Sequence, residues 1–116
     1  DEEDTASLLK VLLERASYAV VHAKDGRQAQ EFVDTLPTPD IVLLDVMLPF
    51  ISGLQVLAYI RGNAAWEKVP IVMLTADGSE HDIKRALESG ANDYMLKPFN
   101  PRELTSRLKR FLAPAA

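Results

Sequence analysis

The run Ile41-Val42-Leu43-Leu44-Asp45 constrains this chain more than any other stretch. Four consecutive apolar residues leave no side for water, so a strand built from them has to be covered on both faces. Such strands belong to parallel sheets with helices above and below, and the residue that ends the run then stands at a strand's carboxyl end. Two further runs repeat the arrangement. Ile71-Val72-Met73-Leu74 follows Pro70 and ends at Thr75, and Tyr94-Met95-Leu96 ends at Lys97-Pro98. Tyr18 to Ala23, short, apolar and partly β-branched, reads as another strand.

Helical stripes separate these runs. Leu8, Leu9, Leu12, Leu13 and Ala16 share one face of a helix from about Asp4 to Ala16. Ala29, Phe32, Val33 and Leu36 repeat at helical spacing until Pro37 and Pro39 break the pattern. Leu54, Leu57 and Ile60 mark a third helix, ending near Gly62. Ser79 with Asp82 resembles a weak capping box ahead of Ile83, Ala86, Leu87 and Gly90. Asn100-Pro101-Arg102-Glu103 is a stronger start, with an N-cap, a proline at the first helical position and a Glu at the third. Leu104, Leu108, Phe111 and Leu112 carry that last stripe. Helix and strand alternating through 116 residues predict one α/β domain built on an open parallel sheet.

Composition removes several function classes. There is no cysteine, which excludes disulfides, thiol chemistry and cysteine zinc sites, and His22 and His81 are the only histidines. The net charge of −4 speaks against nucleic-acid binding by this segment. No apolar run reaches the roughly 20 residues of a membrane helix. The acidic opening Asp1-Glu2-Glu3-Asp4 is unlike a signal peptide, so a cytoplasmic domain with protein or cation partners is expected.

The chemistry-bearing residues gather at strand ends: Asp45, Thr75 and Lys97, with Asp1-Glu2-Glu3 where another strand would end if one came first. Neighbouring carboxylates repel one another and invite a divalent cation such as Mg2+. A carboxylate is also a nucleophile able to form an aspartyl phosphate, which a lysine and a hydroxyl would stabilise through the phosphoryl oxygens. Each residue alone is ordinary, whether as turn, cap or solvated charge. Their placement at successive strand ends of one sheet carries the signal.

The string Ile41-Val-Leu-Leu-Asp45-Val-Met-Leu-Pro49 with Gly53, together with Pro70-Ile-Val-Met-Leu-Thr75-Ala76 and Gly90-Ala-Asn-Asp-Tyr94-Met-Leu-Lys97-Pro98-Phe99, resembles the receiver domains of two-component response regulators. The resemblance covers essentially the whole chain. It implies a three-layer α/β/α, doubly wound, flavodoxin-like sheet of order 2-1-3-4-5. It also implies a receiver domain over residues 1–112, with 113–116 as a tail or the start of a linker. By position, Asp45 is the phosphoacceptor, and Asp1, Asp45 and the Met47 carbonyl hold Mg2+. Lys97 contacts the phosphoryl group, Thr75 is the switch hydroxyl and Tyr94 the switch aromatic. A sensor histidine kinase would supply the phosphoryl group, directly or through a phosphorelay, and an effector domain or protein would read the result. The domain would accept the group and slowly hydrolyse it, and so would not be a conventional enzyme.

Two departures stand out. The family's first strand, which belongs between Tyr18–Ala23 and Ile41–Leu44, is absent ahead of Asp1, so a gap or a foreign strand is expected there. Phe50-Ile51-Ser52 makes the loop before Gly53 unusually apolar, a feature that bears on partner contacts. Glu88, Asp93, Arg107 and Lys109 could pair between copies in a homodimer through the last two helices and last strand. Ile83 and Pro114 stand where dimerising relatives often carry charges. The alternative is a non-phosphorylated pseudo-receiver, a protein-interaction module on the same fold. A magnesium-dependent phosphatase would place a second Asp where Met47 stands, and a flavin domain would want a Ser/Thr/Gly-rich phosphate loop that is not apparent.

Overall fold

The computed structural model describes residues 2–46, 50–75, 80–97 and 100–112, and of the helical residues 2–6 and 80–82 the backbone alone. In chain order the elements are α1 (Glu2–Arg15), α2 (Gly26–Thr35), β1 (Val42–Asp45), α3 (Gly53–Arg61), β2 (Ile71–Thr75), α4 (Glu80–Glu88), β3 (Asp93–Leu96) and α5 (Pro101–Phe111). Helix starts follow local chemistry. Asp25 accepts from the Gln28 N–H at 2.9 Å, Ser52 and Gln55 form a reciprocal capping box, and Asn100 accepts from the Glu103 N–H ahead of Pro101. Ser79 of the expected capping box lies outside the described residues, as does Pro114.

The strands form a parallel sheet of order β1-β2-β3, with Val42 opposite Ile71 and Val72 opposite Asp93. Side chains of the central strand alternate between two cores. Ile71 and Met73 join Val33, Leu44, Val56, Leu57, Ile60 and Trp66 beneath α2, α3 and α4. Val72 and Leu74 join Met95, Leu104 and Leu108, against which α1 packs through Leu9, Leu12 and Leu13. Helices therefore cover both faces of the sheet.

Several expectations need correction. Tyr18–Ala23 is not a strand. Its composition suits a pleated surface, but a strand exists only where an adjacent backbone completes its ladder. Among the described residues no backbone beside it does so; the Tyr18 N–H bonds to Leu13 O at the end of α1, and Val21 is 67% exposed. The segment does not pair with β1, in keeping with the expected gap. The strand covered on both faces is β2, buried at every position. Only Leu44 of β1 is fully buried, because β1 borders the described sheet. Leu8 and Leu87, read as core, are exposed, since each sits at the margin of its apolar stripe.

Three of the residues considered for pairing between copies, Glu88, Asp93 and Arg107, have partners within the chain. Arg107 Nη1 donates to Asp93 Oδ1 at 2.6 Å, Arg110 Nη1 to Asp93 Oδ2 at 3.2 Å, and Lys84 pairs with Glu88 one helical turn apart. Asp93 begins β3 directly beneath α5, so the nearest cations to it are those of α5 itself.

Candidate functional site

The site is made by strand ends in register. Asp45 closes β1 opposite Leu74, and Thr75 closes β2 opposite Leu96. Lys97 follows one residue later, its N–H bonded to Thr75 O at 2.8 Å, while the Val46 N–H bonds to Leu74 O at 3.0 Å. The ladder thus runs just past each of the two chemistry-bearing residues and fixes their backbone.

Asp45 ends β1 and Lys97 directly follows β3, so the two lie roughly 10 Å apart across β2 at ordinary strand spacing. Only a long side chain spans that distance. The Lys97 ammonium reaches over the end of β2 and donates to Asp45 Oδ2 as a close ion pair. The two side chains are 17% and 19% exposed, so the pair is largely but not wholly withdrawn from solvent. Thr75, buried at the end of β2, lies between the strands that carry them.

Gly53 sets how close the next helix comes. A Cβ there would lie 2.1 Å from the Asp45 carbonyl oxygen, and the Gly53 N–H donates to Val46 O at 3.0 Å. No side chain fits between the start of α3 and the end of β1, which are in direct backbone contact. Ile51 likewise packs closely on the start of α2: a Cβ at Gly26 would lie 2.4 Å from Ile51 O.

Beside the pair, Thr75, Tyr94, Val46, Met73, Ile83 and Arg85 line a cavity of about 200 Å³ under α4. Tyr94 is partly buried, and the Arg107 guanidinium lies 5.6 Å from its ring centroid. Threonine, tyrosine and free volume are therefore adjacent, an arrangement in which a shift of one can be accommodated by rotation of the other.

The structure brings together Asp45, Lys97, Thr75 and Tyr94. Asp1 and Met47, the other expected metal ligands, lie outside the described residues. Among the described residues no cluster of three or more carboxylate or imidazole side chains stands ready to hold a metal. Arg85 beside the cavity and the Arg27 guanidinium 4.3 Å over the Phe50 ring were not foreseen. Nothing in sequence spacing points to either, because both contacts join separate elements.

The chain matches the family model described as the response regulator receiver domain over residues 1–109. It is 45% identical over 112 residues to the alkaline phosphatase synthesis transcriptional regulatory protein PhoP of Bacillus subtilis, an alignment covering 97% of this chain and 45% of that protein. It is 44% identical over 112 residues to the transcriptional regulatory protein CpxR of Escherichia coli, covering 97% and 46%. The chain therefore spans about half the length of these relatives. Among solved structures it is similar to the receiver domain of the sensor histidine kinase PA1611 of Pseudomonas aeruginosa, with a TM-score of 0.87 and 32% identity over 96% of this chain and 90% of that one. That structure carries a magnesium ion coordinated in its active-site cleft. The likeness extends to a parallel sheet flanked by helices, the flavodoxin-like α/β arrangement.

Proposed function

The chain belongs to the response regulator receiver domain family, and on that premise we propose that Asp45 is its phosphoacceptor, with Lys97, Thr75 and Tyr94 as the residues that stabilise and report the phosphorylated state. The observation that carries this reading is the Lys97 ammonium reaching across β2 to the Asp45 carboxylate. A structural ion pair between neighbouring elements would not need to be placed at the carboxyl ends of three parallel strands, where α/β sheets hold their ligands.

In the proposed reaction a carboxylate oxygen of Asp45 attacks phosphorus, and the donor leaves on the opposite side. As negative charge moves onto the phosphoryl oxygens, the Lys97 ammonium follows it, exchanging part of its bond to Asp45 for one to the new group. The Thr75 hydroxyl then donates to a phosphoryl oxygen. Tyr94 turns toward the volume this changes, biasing two packings of the α4–β3–α5 face.

Magnesium fits the donor set in kind: the Asp45 carboxylate, together with the Asp1 carboxylate and Met47 carbonyl, offers hard oxygens of the sort the ion prefers. When bound it would neutralise charge on the entering phosphoryl group.

The expected donor is a sensor histidine kinase in the cytoplasm, and the reader an effector domain or separate protein. No helix among the described residues is long and apolar enough to cross a membrane. The domain is proposed to receive and slowly hydrolyse one phosphoryl group, short of conventional catalysis. The test is labelling with acetyl phosphate in the presence and absence of magnesium. Wild type should take one phosphoryl group only with the metal, and Asp45→Asn should take none. Label retained by Asp45→Asn would place the acceptor elsewhere.

A further inference from the structure

The cavity beneath α4 has a chemistry of its own. Val46 just past β1, Leu54 of α3, Met73 of β2, and Ile83 and Ala86 of α4 supply apolar walls. Met73 and Ala86 belong to the buried core, and Val46 and Leu54 pack against it. The space is left because α4 buries only the methyl group of Ala86 there, where a larger side chain would close it. Water finds few partners between such walls, and an apolar cavity of about 150 Å³ takes up a benzene ring. At about 200 Å³ this cavity has room for one ring with a small substituent.

A second feature names the substituent. Arg85 lines the same cavity and is exposed, so it stands where the cavity meets solvent. None of the ion pairs among the described residues includes it. A guanidinium presents a planar fork of donors that matches a carboxylate, and here it borders a space that suits an apolar ring. We propose that this cavity binds a small aromatic carboxylate, with the ring among Val46, Met73 and Ala86 and the carboxylate accepting from Arg85. The consequence for regulation rests on the reading of Asp45 as phosphoacceptor and Tyr94 as switch aromatic. Tyr94 and Thr75 line the same cavity, so a bound ring takes the volume into which Tyr94 would turn. The ligand therefore holds the unphosphorylated packing. By linkage, phosphorylation weakens the ligand by the same factor by which the ligand opposes the switch.

The test titrates benzoate into the unphosphorylated protein and follows the methyl NMR signals of Met73 and Ala86. Their shifts should saturate, with a dissociation constant of about 1 mM for so small a ligand. Arg85→Gln removes the charge from an exposed position and leaves the walls intact. It should weaken benzoate about tenfold and leave benzyl alcohol, the uncharged analogue, unaffected. Phosphorylation with acetyl phosphate and magnesium, compared with an equal concentration of acetate, should weaken benzoate by at least about fivefold. Shifts that rise without saturating, or a benzoate affinity untouched by Arg85→Gln, would overturn the site. Equal affinity for the phosphorylated and unphosphorylated protein would overturn its competition with Tyr94. A protein that takes no phosphoryl group from acetyl phosphate would overturn the acceptor reading instead, while saturable binding that depends on Arg85 would still uphold the site.

Discussion

Replacing Lys97 by methionine separates two roles of one ammonium. The substitution keeps the aliphatic stem and removes the charge that Asp45 faces. Breaking a fully buried pair by deleting one partner costs about 3–5 kcal/mol, because the remaining charge is left without compensation. At 17% and 19% exposure this pair is partly screened, which brings the expected loss to about 2 kcal/mol. For a domain of this size that lowers the melting midpoint by about 8 °C. Asp45→Asn, examined in the same way, should show the coupling: the double variant should lose less than the sum of the two single losses by about 1–2 kcal/mol. The chemical role is read separately. Removing one preorganised donor to a developing oxyanion typically costs a hundredfold or more in rate. Labelling of Lys97→Met by acetyl phosphate, followed at saturating magnesium, should therefore slow by at least about a hundredfold while still ending on Asp45. A variant that labels within threefold of wild type would refute the assignment of Lys97 to the phosphoryl group, even if its stability fell as expected.

Two further outcomes follow from the same geometry. Thr75→Ala should still accept phosphate on Asp45, but partner affinity should change with phosphorylation by much less than in wild type, and an undiminished phosphate effect measured by titration would remove Thr75 from the coupling. Arg61 ties three segments together, its guanidinium donating to Gly90 O, Glu67 O, Val69 O and Asn92 Oδ1 at 2.7–3.0 Å. Arg61→Ala should cost about 2–3 kcal/mol in urea unfolding at unchanged m, with Arg61→Lys restoring little because an ammonium cannot make the planar fork. A loss below about 0.5 kcal/mol, the range of ordinary surface substitutions, would show that water replaces these bonds freely.

The legible parts of this protein are those set by neighbours in the chain. Asn100-Pro101 and the stripe of Leu104 and Leu108 specify α5 because capping and amphipathic spacing act within a few residues. The runs ending at Asp45, Thr75 and Lys97 became β1, β2 and β3 with those residues at or just past their carboxyl ends, because a parallel sheet covered by helices suits such runs and helical connections keep the strands pointing the same way. Tyr18–Ala23 illustrates the complementary rule. Propensity alone does not make a strand, and the partner backbone that would complete this one is not among the described residues.

Local sequence therefore determined which residues could form elements and which would arrive at the strand ends. Tertiary structure decided what they meet there. The reach of Lys97 across β2 to Asp45 depends on β1 and β3 lying two strands apart, and that order is written in no short stretch. Which cations Asp93 meets within the chain was likewise set by the packing of α5 over β3, which supplies Arg107 and Arg110. Phe50 looked only like an apolar residue in a loop. Its left-handed backbone, its exposure and the guanidinium over its ring arise from closures at Gly26 and Gly53, which act through space between elements that spacing along the chain does not connect.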